Sequence, residues 1–341
     1  MRRALLLALL CASLASAQPA EKLMERASAL YGAGRFLQAS VLYAKAEARG
    51  GEPLACSFNR GNALFQANRI PEAAAAYRRA VRASGGSFAP ALFNLGATLY
   101  RLGAYAEAVA VYRRALALDP SNVSAWLYLS EACSRTGDLV GALRAAERAH
   151  RLDGDPSVVY RLAEIHVALG DVSAAIAVAE EGWRAHPEEP DFLVYVGDLA
   201  RGDGRFDRAI DAYREALGAL GDRPDVMYKL ADVLAESGNV FLAMDQLSAI
   251  LAVDSADAEA AIFLGNLALD ARWYDRAERA YLAAARRNHP EAVYGFRELA
   301  REALLRRRTD EAKRLLETAL RHYPGDAATA SELRRLEEES P

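Results

Sequence analysis

The sequence predicts an all-α array of stacked helical hairpins, and three recurring positions predict it. An alanine returns every 33–35 residues, at Ala39, Ala73, Ala108, Ala142, Ala175, Ala209, Ala243, Ala277 and Ala312. Twelve residues before each stands another small residue: Ala27, Gly61, Gly96, Ser130, Ala163, Gly197, Ala231, Gly265 and Ala300. Between them a turn glycine recurs as Gly34, Gly103, Gly137, Gly170, Gly204 and Gly238, replaced by Asn68, Arg272 and Arg307 in the other three units. Small residues let antiparallel helices cross closely, and glycine tolerates the left-handed geometry of a helix end.

Length and composition agree with a folded, elongated chain. The 341 residues exceed what one compact core usually organises, so two domains or a repeat array are expected. Apolar residues make up 52% and charged residues 26%, as in folded proteins. The formal net charge of −4 gives no electrostatic reason to bind a polyanion, so nucleic acid is not an expected partner.

Residues 1–17 have the pattern of a signal peptide. Two arginines precede an apolar run at 4–14, and Ala15-Ser16-Ala17 has the small residues of a cleavage site. The run is shorter than the roughly 20 residues that span a membrane. A retained anchor and a lipoprotein modified at Cys11 stay as alternatives. We therefore expect export to the periplasm or cell envelope, with membrane association only if the leader is retained or lipidated.

Two cysteines remain after leader removal, Cys56 and Cys133. They belong to units two apart, so their Cα atoms should lie well beyond the roughly 7 Å that a disulfide tolerates. We expect both to be small buried residues without a disulfide between them.

Residues 89–122 carry a family signature. Its elements are Leu92, Leu95, Gly96, Leu99, Gly103, Tyr105, Ala108, Tyr112, Ala115, Asp119 and Pro120. In these residues and their spacing, the chain resembles the tetratricopeptide repeat family. The resemblance implies a right-handed superhelical solenoid, with first helices along a concave groove and second helices on the convex back.

Nine units of this kind cover 20–326. Their ranges are 20–53, 54–88, 89–122, 123–155, 156–189, 190–223, 224–257, 258–292 and 293–326. Residues 327–341 predict a C-terminal capping helix and tail, because Ala330, Leu333 and Leu336 share one helical face while Glu337, Glu338 and Glu339 face water.

No catalytic or metal-binding motif is found, so we expect no enzyme activity, cofactor or metal site. Five scattered histidines lack carboxylates or thiolates at ligand spacing. In a repeat array, function concentrates on the groove.

The predicted groove combines aromatic and polar first-helix positions. The aromatic members are Phe58, Phe93, Tyr128, Tyr160, Tyr195, Tyr228 and Phe263. The polar members are Asn62, Asn94, Glu131, Glu164, Asp198, Asp232 and Asn266. Such a track suits an extended or helical peptide, and its acidic middle section favours a basic or apolar partner. The alternative is that some rings pack on adjacent helices, and that Arg161 with Glu164 and Lys229 with Asp232 are exposed ion pairs.

The carboxylate-clamp members of the family bind the acidic C-termini of chaperones. Asn62 and Asn94 occupy two positions of such a clamp, but Phe58, Ser124 and Tyr128 stand where it needs cations. Chaperone-tail binding is therefore not expected. Two functions remain: an exported scaffold that binds partner proteins or peptides, or an accessory that recruits or regulates a cell-wall or secretion enzyme and contacts glycan through its rings. Whether the groove or the convex face binds stays open.

Overall fold

The computed structural model describes residues 19–338, which form nineteen helices and no strand. The first nine are α1 (Ala20–Gly32), α2 (Phe36–Glu47), α3 (Pro53–Gln66), α4 (Ile70–Ala83), α5 (Ala89–Arg101), α6 (Tyr105–Leu118), α7 (Val123–Arg135), α8 (Leu139–Leu152) and α9 (Pro156–Ala168). The others are α10 (Val172–Ala185), α11 (Asp191–Gly202), α12 (Phe206–Leu220), α13 (Pro224–Glu236), α14 (Val240–Val253), α15 (Ala258–Asp270), α16 (Tyr274–Ala285), α17 (Ala292–Leu305), α18 (Thr309–His322) and α19 (Ala327–Glu338). The all-α prediction of about nine hairpins and a final helix is confirmed.

The helices belong to two compact units. Unit 1 ends at Val178 and unit 2 begins at Ala179, so the boundary lies within α10. In unit 1, consecutive helices pack against each other from α1 through α9. In unit 2, the same holds from α11 to α19. No helix of residues 19–338 is long and apolar enough to cross a membrane. The predicted leader, Cys11 and Glu339 lie outside the described residues.

The turn inside each hairpin reverses the chain through one residue of positive φ. The six turn glycines have φ of 73–81°, and Asn68, Arg272 and Arg307 adopt 57–61° at the same place. Glycine reaches this region without strain because it has no Cβ. The two arginines occupy a conformation that L-residues with long side chains adopt rarely.

The two small-residue positions lie where the helices of a hairpin meet. All nine alanines of the recurring series are fully buried, and the preceding small residues are also buried. Four of the latter are glycines, and each touches a tyrosine ring of the second helix. A Cβ on Gly61, Gly96, Gly197 or Gly265 would lie 2.4–2.6 Å from a ring carbon of Tyr77, Tyr112, Tyr213 or Tyr281, respectively. The ring therefore occupies the volume that a side chain would need.

Both cysteines of the described chain are buried and free, which confirms that they do not pair. The Cys56 thiol contacts the sulfur of Met24 at 3.4 Å. Burial is the main cause that raises the pKa of both thiols. They are packing residues, and their burial favours the thiol over the thiolate.

The final helix α19 closes unit 2. Leu336 is buried and Leu333 packs against the same core, while Glu337 and Glu338 are exposed. The Asp326 carboxylate accepts the Thr329 amide at 2.8 Å and so caps the helix start.

Candidate functional site

The predicted site residues lie on first helices of the hairpins, and we describe them separately for each unit. The unit 1 groove face comprises Phe58, Asn62, Phe93, Asn94, Tyr128, Glu131, Tyr160 and Glu164. The unit 2 groove face comprises Tyr195, Asp198, Tyr228, Asp232, Phe263 and Asn266. Tyr128 is the exposed ring of the set, at 43%, and the other six rings are half-buried.

Rings of the unit 1 groove face pack against aromatic neighbours on adjacent elements. The Phe58 ring packs edge-on against Phe88 at 5.2 Å, and Phe93 packs edge-on against Tyr128 at 5.7 Å. Tyr128 also stacks on the buried Tyr112, with centroids 6.0 Å apart and planes 9° apart. Phe58 and Phe93 therefore act partly as core residues, whereas Tyr128 offers a fixed ring to solvent.

Two hollows lie beside Tyr128. The first has a volume of about 230 Å³, and its lining includes Tyr128, Asn62, Asn94 and Gln66 but no charged side chain. The second, of about 370 Å³, is lined by Tyr128, Ser124, Leu127, Glu131, Ser157 and Arg161. Tyr128 thus separates an uncharged hollow rich in amides from one that contains an ion pair.

The amides of the first hollow are connected to the core. The Asn62 side-chain oxygen accepts the Tyr77 hydroxyl at 2.8 Å and the Asn94 amide at 3.0 Å. These bonds fix both side chains. Because no cation lines this hollow, a terminal carboxylate would be desolvated there without a charged partner. This agrees with the rejection of a chaperone-tail clamp.

The acidic residues of unit 1 are paired within the chain. The Glu131 carboxylate accepts from Arg161 at 2.7 Å, Arg135 at 3.0 Å and the Tyr100 hydroxyl at 2.9 Å. Burial works to raise the pKa of Glu131, but these donors outweigh it and leave that pKa below its ordinary value. Arg161 also reaches Glu164 at 3.2 Å, as predicted, although the Arg161 side chain is only 17% exposed.

The acidic residues of unit 2 are paired too, but with different partners from those predicted. Lys229 contacts Asp198 at 2.5 Å rather than Asp232, so that predicted pair is wrong. Asp232 instead meets Arg201 at 3.3 Å. The lysine stem is long enough to reach the preceding hairpin, and Asp198 is already fixed there by the Tyr213 hydroxyl at 2.7 Å. Burial raises the pKa of Asp232, and Arg201 acts in the opposite direction.

This pairing changes the electrostatic expectation for the groove. The acidic middle section was expected to favour a basic partner. The two groove carboxylates of each unit already contact a cation of the chain, so little uncompensated negative charge remains for a ligand.

The remaining unit 2 positions are also tied to the fold. The Tyr228 hydroxyl donates to Asp257 at 2.7 Å, and Asp257 caps the start of α15. The Tyr281 hydroxyl donates to Asn266 at 2.8 Å. Phe263 packs against the core, and Tyr195 is half-buried on α11.

A hydrogen bond that was not predicted from the sequence explains why polar residues recur at these groove positions. Where the second helix carries the recurring tyrosine, its hydroxyl bonds to the residue that follows the small position: Ser28, Asn62, Asp198 and Asn266 accept or share this bond at 2.7–3.1 Å. The third hairpin has Ala97 there, and the buried Tyr112 hydroxyl has no hydrogen-bond partner within residues 19–338. The signal was present, because the tyrosine and polar residues co-occur at a spacing of 15 residues.

No group of three histidine, cysteine or acidic side chains in the described part of the chain is placed to hold a metal ion.

The paired helices and recurring contacts define a helical repeat protein. Sequence comparison identifies the repeat: the tetratricopeptide repeat family matches residues 24–88 and 160–224, 89–122, and 200–267. The chain belongs to the tetratricopeptide repeat family. Its repeats place it among protein–protein interaction scaffolds. Proteins with this repeat fold are typically not enzymes.

Solved structures match this chain at low sequence identity, and the two with TM-scores above 0.5 show the same fold. The C-terminal part of a TPR repeat-containing protein from Cytophaga hutchinsonii is 15% identical, with a TM-score of 0.55 over 80% of this chain and 98% of that one. A structure of Naa15/Naa10 bound to HypK-THB matches at 17% identity and a TM-score of 0.58, over 94% of this chain and 51% of that one. MamA matches at 21% identity and a TM-score of 0.45, over 49% of this chain and 92% of that one. A search of curated proteins gave no match.

Proposed function

We propose that this protein is an exported scaffold that binds a segment of a partner polypeptide on the unit 1 groove face. The observation that carries the proposal is the exposed Tyr128 ring between two hollows. A ring held by stacking loses little conformational freedom on binding, which is why aromatic residues serve as anchors in interfaces.

The lining indicates what the partner segment carries. The first hollow offers uncharged amides and aromatic walls, so it suits an apolar or amide side chain better than a charged one. The second contains the Arg161–Glu131 ion pair, whose charges compensate each other. An extended segment that crosses Tyr128 would place neighbouring side chains in the two hollows.

The proposed location outside the cytoplasm rests on the leader pattern of residues 1–17. We expect the mature chain to begin at Gln18 and to act in the periplasm or cell envelope. Mass determination of the N-terminus after expression with the full leader tests this. A mature chain that still starts at Met1 would contradict cleavage.

The groove is tested by crosslinking in cells. A photoreactive amino acid replaces Ser124 or Gln66, which line the two hollows, and attached proteins are identified by mass spectrometry. We expect one defined partner from both positions and about a tenfold loss of its binding with Tyr128→Ala, a typical effect for an aromatic anchor.

Tyr294 supplies the matched control, because it is an equally large ring, 60% exposed, and lines neither hollow. Tyr294→Ala should bind the partner as the unmodified chain does. If Tyr128→Ala binds the partner as well as the unmodified chain does, or if both variants lose the same amount of binding, the unit 1 groove face is not the site.

An accessory role at the cell wall is the second candidate. It is favoured by the combination of an exposed ring with side-chain amides in the first hollow, since sugars stack on rings and bond to amides. Sedimentation of the purified chain with insoluble cell-wall polymer tests it. If the chain sediments with the polymer and Tyr128→Ala abolishes this binding, the accessory role is supported. If the chain does not bind the polymer, only the protein-binding scaffold remains.

A further inference from the structure

A larger hollow than the two beside Tyr128 lies elsewhere, in unit 2. It has a volume of about 840 Å³, within the range of ligand-binding pockets. It extends over the exposed side of α16, between the turn that precedes this helix and the turn that precedes α18. None of the fourteen groove residues lines it, so it is distinct from the groove faces.

Five arginines line this hollow, with only two carboxylates, Asp275 and Glu311. Arg306 and Arg308 both pair with Glu311 at 3.3 Å, and Arg276 reaches Asp245 at 3.3 Å. No carboxylate within residues 19–338 contacts the guanidinium of Arg272, and the Arg279 guanidinium donates to a backbone carbonyl at 3.2 Å. A local positive excess therefore exists on a chain whose net charge is −4.

The backbone conformation does not favour an arginine at position 272, in the turn before α16. Arg272 stands at the turn position where six hairpins have glycine, and its φ is 61°. Glycine would adopt this conformation without strain. Arg307 occupies the equivalent position of the next hairpin at φ 57° but does not line the hollow. Any contribution of Arg272 to the hollow comes from its side chain, and Arg307 supplies a turn of the same conformation for comparison.

Aromatic rings hold part of the arginine cluster in place. The Arg306 guanidinium lies 3.8 Å from the Tyr274 ring centroid, and that of Arg276 lies 5.6 Å from Trp273. Trp273 is 42% exposed and contacts the exposed Phe241 ring at 4.8 Å. The hollow thus combines pre-positioned cations with an apolar rim.

We propose that this hollow binds an acidic peptide segment, with carboxylates on the guanidiniums of Arg272 and Arg279, which have no carboxylate partner in the part of the chain that the structure describes, and an apolar side chain against Trp273. Guanidinium groups bind carboxylates through paired hydrogen bonds. A small inorganic oxyanion could use the arginines but not the apolar wall formed by Trp273, Leu251 and Ala283. The lining therefore fits a peptide better than a phosphate. This proposal does not depend on the groove.

Binding of a defined probe to the full-length mature chain tests the proposal. The probe is the fluorescently labelled peptide Glu-Asp-Phe-Glu-Asp, blocked at both ends, and its neutral counterpart is Gln-Asn-Phe-Gln-Asn. We expect fluorescence polarisation to show binding of the acidic probe alone, weakened several-fold between 50 and 300 mM salt. Equal binding of both peptides, or binding of pyrophosphate without the acidic peptide, would overturn the proposal.

Two variants separate binding from folding. Arg272→Gly removes a free cation and relaxes the turn, so we expect a melting temperature about 2–4 °C higher and affinity about tenfold lower. Arg307→Gly relaxes the same strain outside the hollow and should raise the melting temperature without changing affinity. The site is refuted if Arg272→Gly binds the acidic probe with unchanged affinity, or if both variants lose the same amount of affinity for it. Tyr128→Ala should leave probe binding intact.

Discussion

Removing the Tyr112 hydroxyl should stabilise the protein, although most changes at a fully buried residue destabilise. Tyr112 is 0% exposed, and its hydroxyl has no hydrogen-bond partner among the described residues. Tyr77 occupies the same place in the preceding hairpin but donates to Asn62 at 2.8 Å. The two tyrosines therefore form a matched pair that differs in one hydrogen bond, and each can be changed to phenylalanine without altering the ring.

The expected effects have opposite signs. Tyr77→Phe removes a hydrogen bond, which costs about 1 kcal/mol of unfolding free energy. Tyr112→Phe removes a buried polar group that has no bond, which should gain about 1 kcal/mol, at the low end of the desolvation penalty. The two variants should thus differ by about 2 kcal/mol. That difference corresponds to roughly a 30-fold ratio of opening constants at 25 °C.

A third variant supplies the missing acceptor. Ala97 stands where Asn62 stands one hairpin earlier, so Ala97→Asn places an amide oxygen near the Tyr112 hydroxyl. We expect a gain of about 1 kcal/mol in the presence of Tyr112 and no gain when Tyr112 is replaced by phenylalanine. The coupling between the two changes measures the new hydrogen bond directly.

Native-state hydrogen exchange is the suitable assay, because repeat arrays open locally and a global melting temperature averages over the hairpins. The amides of α5 and α6 report on Tyr112, and those of α3 and α4 report on Tyr77. If Tyr112→Phe increases exchange in α5 and α6 as much as Tyr77→Phe does in its own hairpin, then the hydroxyl has a partner and the reasoning is wrong.

Three further outcomes are expected. Gly197→Ala places a Cβ 2.4 Å from the Tyr213 ring and should destabilise by about 1–3 kcal/mol in urea unfolding, less so when Tyr213→Ala is also present; additive losses would contradict the steric argument. Glu131→Gln should destabilise at pH 7. The pKa of Glu131 in the folded protein lies below its ordinary value of 4.5, so the stability that the carboxylate contributes is fully present above pH 4.5 and is lost as the pH falls through the folded pKa. The unfolding free energies of Glu131→Gln and the unmodified protein should therefore converge in acid. A constant difference down to pH 2 would refute this. Cys133, whose pKa burial raises, should be alkylated at least about tenfold more slowly in the native protein than in urea, and equal rates would show that the site is open.

Much of the fold could be predicted from the sequence because hairpin geometry is a local property. The recurring alanine, the small residue twelve positions earlier and the turn residue each specify a backbone condition that few side chains meet. Helix starts such as Phe36 and Tyr105 follow directly from the turn position. The contact between Gly197 and the Tyr213 ring was not predicted, because the direction of the tyrosine ring depends on the three-dimensional packing.

The candidate site was harder to predict because its polar side chains choose among partners in neighbouring hairpins. Lys229 pairs with Asp198 rather than Asp232, and such choices between exposed partners differ by only tenths of a kcal/mol. The arginine-lined hollow was missed as well. Its signal was Arg272 at a turn position that favours glycine, but only the structure shows that Arg279 and Arg306 share the same space.

The contact between a glycine and a tyrosine ring also restricts how the hairpins could have diverged from one another. In a hairpin with Gly265 and Tyr281, a larger residue at the first position requires the ring to shift, because a Cβ there would lie 2.5 Å from the ring. The first hairpin combines Ala27 with a buried Tyr43 and shows that alanine and the ring can coexist once the packing differs. Losing the ring first leaves a void, which a fold of many hairpins can tolerate locally. A hairpin can therefore change from one packing type to the other in two ways, through a shift of the ring or through a small–small combination such as Ser130 with Ala146.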